Sequence, residues 1–145
     1  MFKTILVPTD GSVLADKAVD AAVKFAQEVN GNIVAISVSE PHPYALLSDS
    51  DFFGNTHGFE EKARDVANNH VQRVADAASA AGVPCNVVVA HSFRPYEEML
   101  KAAQTHHCDV IFMASHGRKG LGGLFLGSET QKVLAHSTIP VMVYR

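Results

Sequence analysis

Residues 114–130 concentrate the chemistry of this chain: Ala114-Ser115-His116-Gly117-Arg118-Lys119-Gly120-Leu121-Gly122-Gly123-Leu124-Phe125-Leu126-Gly127-Ser128-Glu129-Thr130. Of the 10 glycines, five fall between Gly117 and Gly127. Glycine has no Cβ, so its backbone can approach a ligand closely or take a positive φ. Gly127-Ser128 then opens a helical pattern. The first amides of a helix have no intrahelical acceptor and sit at the positive end of its dipole, which together favour an anion such as phosphate. Ser128 and Thr130 add hydroxyls, and Arg118 and Lys119 add positive charge. A plainer reading of the same residues is a flexible surface loop with Ser128 as a helix cap. Glycine count alone does not separate the two, because isolated Gly motifs are weak evidence.

Sharper templates fail. A P-loop needs G-x-x-x-x-G-K-[ST], but Gly127 is followed by Ser128-Glu129 with no lysine. A dinucleotide fingerprint follows the first strand and carries three glycines, whereas Gly120-x-Gly122 comes late in the chain and lacks the third. No G-x-S-x-G nucleophile elbow is present. Asp10 reads either as a turn and cap residue or as a partner for a ribose hydroxyl or a phosphate-bound magnesium. His116 is placed to donate to phosphate, or is a loop histidine. His106-His107 read as a surface pair, and no histidine spacing matches a metal site. Cys85 and Cys108 read as ordinary buried thiols. Glu97 and Glu98 read as a solvated first helical turn.

These residues must be positioned by the elements around them. Thr4–Pro8 reads as a buried strand. Leu14, Ala18, Ala21, Ala22, Phe25 and Val29 follow at helical spacing, with Asp10 or Ser12 as cap and Asn30-Gly31 as stop. Asn32–Val38 is a second strand. Residues 39–58 hold Pro41, Pro43, Gly54 and the pair Phe52-Phe53. A loop of this length fits a lid and fits equally a mobile segment. Phe59, Ala63, Val66, Ala67, His70, Val74, Ala77, Ala78 and Ala81 mark a second helix, ended by Gly82 and Pro84. Cys85–Ala90 is a third strand, and Pro95 opens a third helix with Met99, Leu100 and Ala103. Asp109–Ala114, a helix over Ser128–His136 and a strand over Ile139–Tyr144 complete a strictly alternating pattern.

The strands look apolar on both faces, as in a parallel sheet covered by helices on both sides. Right-handed crossovers bring every strand-to-helix turn to one edge of such a sheet. Residues 8–12, 39–58, 91–94 and 115–127 should therefore meet at the carboxyl ends of the strands, where open α/β sheets bind ligands.

Composition sets outer limits. The chain has 145 residues, 47 % of them hydrophobic and 19 % charged, which suits one domain with a real core. Its 12 Lys and Arg against 15 Asp and Glu give a formal net charge of −3, against a general nucleic-acid binder. Two cysteines are too few for a disulfide framework and fit a reducing compartment. The opening apolar run is too short for a signal peptide, and no run approaches a membrane span. The expectation is a soluble cytoplasmic protein with no membrane and no nucleic-acid partner.

Three separated segments then carry a resemblance. They are the opening Ile5-Leu6-Val7-Pro8-Thr9-Asp10-Gly11-Ser12, the Ser115-His116-Gly117 that precedes Gly127-Ser128 by nine residues, and the closing Ile139-Pro140-Val141-Met142-Val143. Together they resemble the universal stress protein family of the UspA type, in the family's order and across the whole chain. The resemblance implies a single doubly wound α/β domain over residues 1–145, of the adenine nucleotide alpha-hydrolase-like kind. Its sheet would have five parallel strands in the order 3-2-1-4-5. Nucleotide-binding members carry G-x-x-G-(nine residues)-G-[ST]. Gly117, Gly127 and Ser128 fit, while Ala114 stands where the first glycine would be.

By the same resemblance, Pro8, Thr9 and Asp10 line the adenosine end, Val38 offers backbone to adenine, and Met113 and Ala114 lie near ribose or base. His116, Gly117, Gly127, Ser128, Glu129 and Thr130 would hold phosphates, mainly through main-chain amides. The implied cofactor is ATP or AMP with magnesium. The implied role is a stress-response switch with at most slow hydrolysis. Ala114 favours the alternative, a nucleotide-free dimeric interaction module. Family dimers pair through the last strand, here Val141, Met142, Val143 and Tyr144. A further protein partner is implied without being identified.

Overall fold

The computed structural model describes residues 1–43, 56–117 and 125–145. Its elements run β1 (Thr4–Pro8), α1 (Val13–Val29), β2 (Asn32–Ser39), α2 (Thr56–Ala80), β3 (Cys85–His91), α3 (Pro95–Thr105), β4 (Val110–Ala114), α4 (Ser128–His136) and β5 (Val141–Tyr144). The strands form one sheet in the order β3-β2-β1-β4-β5. Every neighbouring pair is parallel.

Successive strand residues face opposite sides of the sheet, and each face has its own core. Ile5, Val7, Ile33, Ala35, Val110 and Phe112 meet α1 and the second half of α2. Leu6, Val34, Ile36, Ile111 and Met113 meet α3 and α4. On α1 the buried stripe is Ala15, Ala18, Val19, Ala22, Val23 and Ala26. Small side chains at this spacing let the helix lie close to the sheet, and Phe25 closes its end with ring centroids 5.3 Å from Phe112. Each fully buried Ile, Leu or Val contributes about 1.5–3 kcal/mol.

Boundaries depart from the sequence reading where side chains take over from the ladder. Asp109 precedes β4 instead of starting it. Its carboxylate accepts the amides of Lys3 at 2.7 Å and Thr4 at 2.8 Å, and so pins the entry of β1. β5 starts at Val141, because Ile139 donates its amide to the Ser137 hydroxyl and Pro140 has no amide to give. β3 is not apolar and buried on both faces. It is an edge strand with Asn86 and Val87 exposed. α2 begins at Thr56, three residues before the first apolar position of its stripe. No helix among the described residues is long and apolar enough to cross a membrane.

Candidate functional site

Two turns build the wall of a cavity at the carboxyl ends of β1 and β4. After β1 the Thr9 amide still reaches Ile36 O at 2.9 Å, so the strand geometry carries one residue further. The chain then reverses on its own side chains. Thr9 Oγ1 accepts the Gly11 amide at 3.1 Å, Asp10 Oδ1 accepts the Ser12 amide at 3.0 Å, and Ser12 Oγ caps α1 through the Ala15 amide at 3.2 Å. Gly11 sits at φ +72°, and a Cβ on it would overlap the His70 ring. Only glycine satisfies both conditions.

After β4 the backbone of Ser115 does double duty. Its amide donates to Tyr144 O at 2.6 Å, and its carbonyl accepts from the Gly127 amide at 2.7 Å. Gly127 is the N-cap of α4 and supplies no side-chain cap. The first helical bond is Gln131 N to Gly127 O at 3.0 Å. The amides of Ser128, Glu129 and Thr130 thus lack intrahelical acceptors. The Thr130 hydroxyl, expected as a ligand donor, is buried and donates to Ala114 O at 3.0 Å, tying α4 to the end of β4. Glu129 also turns away from the α4 amides. Its Oε2 accepts the Tyr96 amide of α3 at 2.9 Å, and its Oε1 takes Lys132 Nζ at 3.0 Å. His116 Nδ1 lies 3.1 Å from Ser115 Oγ. A Cβ on Gly117 would overlap Asp10 Oδ2, so the two turns meet where glycine leaves room.

The cavity between these turns has a volume of about 820 Å³. That lies within the ordinary range for small-molecule sites, roughly 300–1,000 Å³. Every residue that the sequence reading nominated lines it: Pro8, Thr9, Asp10, Val38, Met113, Ala114, His116, Gly117, Gly127, Ser128, Glu129 and Thr130. Arg118 and Lys119 lie outside the described residues, as do residues 44–55 of the proposed lid loop. Other residues join them. The stripe Phe59, Ala63, Val66, Ala67 and His70 on α2, which in sequence marks only a helix, roofs the cavity, and the part of α2 in the sheet core begins at Val71. Pro95 and Met99 of α3 and Ser37, Ser39 and Glu40 at the end of β2 complete the wall. Ser37 and Ser39 carried a signal: hydroxyls in a strand that after Asn32 is otherwise built from Ile, Val and Ala.

Several displaced titrations lie off this cavity. Asp109 is held below the usual carboxylate range by the amides of Thr4 and Lys3. Burial pushes the Cys108 thiol up to about 11 and also raises Cys85. Glu97, on the surface of α3, is lowered first by its hydrogen bond from Arg94.

Comparison with known proteins follows the same outline. A model of the universal stress protein family matches residues 1–145. This chain belongs to the universal stress protein family. A universal stress protein of Thermus aquaticus is 34 % identical over 145 residues, covering all of both chains. The solved structure of MJ0577 superposes with a TM-score of 0.83 at 27 % identity, over 99 % of this chain and 96 % of that one. MJ0577 is a universal stress protein of Methanocaldococcus jannaschii. A universal stress protein from Archaeoglobus fulgidus in complex with dAMP shares the fold, with a TM-score of 0.70 at 12 % identity over 100 % of this chain and 98 % of that one. The universal stress protein sheet order is thus the one observed here, and the cavity opens at its carboxyl edge.

Proposed function

We propose that this universal stress protein binds an adenine nucleotide, ATP or AMP with magnesium, and acts as a regulatory switch. The observation that carries the reading is the uncapped start of α4 facing a cavity with two unlike ends. One end offers the amides of Ser128, Glu129 and Thr130, beside His116 and Gly117. Such an end suits phosphate. The other offers Val38, Val66, Met99 and Met113, which suits the faces of a purine. Asp10 lines the cavity with its carboxylate against Gly117, and would meet a ribose hydroxyl or a phosphate-bound magnesium there. The methyl of Ala114 lies in the wall without closing the cavity, so the departure from the family motif is compatible with a ligand. The related structure with dAMP supports an adenine nucleotide as the class.

Hydrolysis, if any, is slow. The Glu129 carboxylate is committed to Tyr96 and Lys132, which leaves it poorly placed to activate water. A ligand shifts a protein only by its differential affinity for two states. The switch therefore requires that nucleotide favour one arrangement of the elements around the cavity. We further propose a homodimer paired through β5 and a cytoplasmic location.

Purified protein extracted with heat should release nucleotide on anion-exchange chromatography. Calorimetric titration with ATP and with AMP, each with magnesium, should give a saturable heat. No released nucleotide and no heat at millimolar concentration would overturn the reading and leave the nucleotide-free interaction module. Gly127→Arg, which drives a side chain into a position where even a Cβ lies 3.1 Å from His116 Cα, should abolish binding and keep the circular dichroism spectrum.

A further inference from the structure

Behind the base end of the cavity, three polar side chains from three elements meet. Ser39 ends β2, is 6 % exposed and lines the cavity. His91 ends β3 directly opposite it in the parallel register. Its Nδ1 lies 2.7 Å from Ser39 Oγ. Its Nε2 is buried and has no hydrogen-bond partner among the described residues. Glu60 Oε1, on the first turns of α2, lies 3.7 Å from that nitrogen. A buried polar atom without a partner is rare enough to need a reason.

The reason lies in the tautomer. A neutral imidazole carries one N–H and one lone pair, and its neighbours decide which nitrogen holds which. A carboxylate only accepts. With the hydrogen on Nε2, the ring turns a donor toward Glu60. With the hydrogen on Nδ1, it would turn a lone pair toward a negative charge. Glu60 therefore selects Nε2–H, and Nδ1 becomes an acceptor. The Ser39 hydroxyl then donates along the 2.7 Å contact, in preference to the 3.3 Å path to Ala90 O. With its hydrogen so used, Ser39 shows only lone pairs to the cavity.

We infer that Glu60, His91 and Ser39 form a relay that fixes the Ser39 hydroxyl as an acceptor at the cavity wall, and that it selects a purine with an exocyclic amine over its oxo counterpart. The inference rests on the nucleotide reading above and deepens it. An amine donates into the fixed lone pairs, whereas a carbonyl oxygen at the same place meets them lone pair to lone pair. Ser39 is the residue that reads the base, and His91 and Glu60 are positioning residues.

The test compares AMP with inosine monophosphate, which differs at that group, by calorimetric titration. The wild type should bind AMP about tenfold more tightly, the scale of one hydrogen bond gained and one clash avoided. Ser39→Ala should bring the two within about threefold, and Ser39→Thr, which keeps the hydroxyl, should retain the preference. In parallel, long-range 1H–15N spectra of the ligand-free protein should show His91 as the Nε2–H tautomer, lost in Glu60→Ala. His91→Gln identifies its signals. Equal binding of the two nucleotides to the wild type, or an unchanged ratio in Ser39→Ala, overturns the inference and leaves the nucleotide reading standing. An Nδ1–H tautomer in the wild type also overturns it. Binding of neither nucleotide removes the nucleotide reading and base selection with it, while the tautomer shift in Glu60→Ala would still establish the relay.

Discussion

Single atoms decide whether the two turns can meet. Gly117 leaves no more than a hydrogen beside Asp10 Oδ2. Gly117→Val must therefore push the turn outward or rotate Asp10 away from the ligand edge. We expect at least a tenfold loss of nucleotide affinity by calorimetry, with a thermal midpoint within a few degrees of wild type. An unchanged affinity would show that Asp10 and the residue 117 turn do not share a ligand. Thr130 makes the opposite point. Sequence reading offered its hydroxyl to a ligand, but a buried hydroxyl first needs a partner of its own, and Ala114 O supplies it. Thr130→Val keeps the shape and strands that carbonyl. Urea denaturation should report a loss of about 1–2 kcal/mol.

At the scale of elements, the alternating order was legible because period and punctuation agree. Strands carry short runs of Ile and Val, α1 carries a clean helical stripe, and Asn30-Gly31 and Gly82 stop their helices. The ends were less legible, because a side chain can replace a ladder bond. Asp109 does this for the amides of Lys3 and Thr4, and no periodicity announces it. The consequence is a dependence on acid. A carboxyl held below its ordinary pKa adds stability that is complete above the unfolded value near 3.8 and fades as pH falls through the lower folded value. Asp109→Ala should lose about 1 kcal/mol at neutral pH, solvent screening holding the figure down. The gap to wild type should narrow as pH falls below 3.8 and through the lower folded value. A gap that persists in acid would mean that the side chain acts by packing. The role of the α2 stripe was hidden for a different reason. A helix face that roofs a cavity and one that fills a core show the same spacing, and only the sheet's edge tells them apart.

For the whole molecule, the sheet leaves two edges, β3 and β5. On β5, which pairs only with β4 among the described residues, Met142 is 44 % exposed, an apolar side chain on an edge strand. Such edges invite pairing. If the homodimer forms there, Met142→Lys should turn a dimer into a monomer by light scattering coupled to size exclusion. A variant that stays dimeric would move the interface elsewhere. The location of the cavity was legible from topology alone, since parallel crossovers place all the strand-to-helix turns on one side. The pair behind its wall was not, because Glu60 and His91 are far apart in sequence and neither belongs to a motif.

One residue, Ser115, faces both ways: its nitrogen holds the last residue of β5 and its oxygen holds the N-cap of α4. Strand and helix thus hang from a common peg. A neighbour that tugs on the outer strand must load the cradle of amides, and an anion that settles in the cradle must stiffen the outer strand. Such coupling is reciprocal by thermodynamic necessity. Self-association measured with and without nucleotide should therefore differ by the same factor as nucleotide affinity measured in the paired and separated forms.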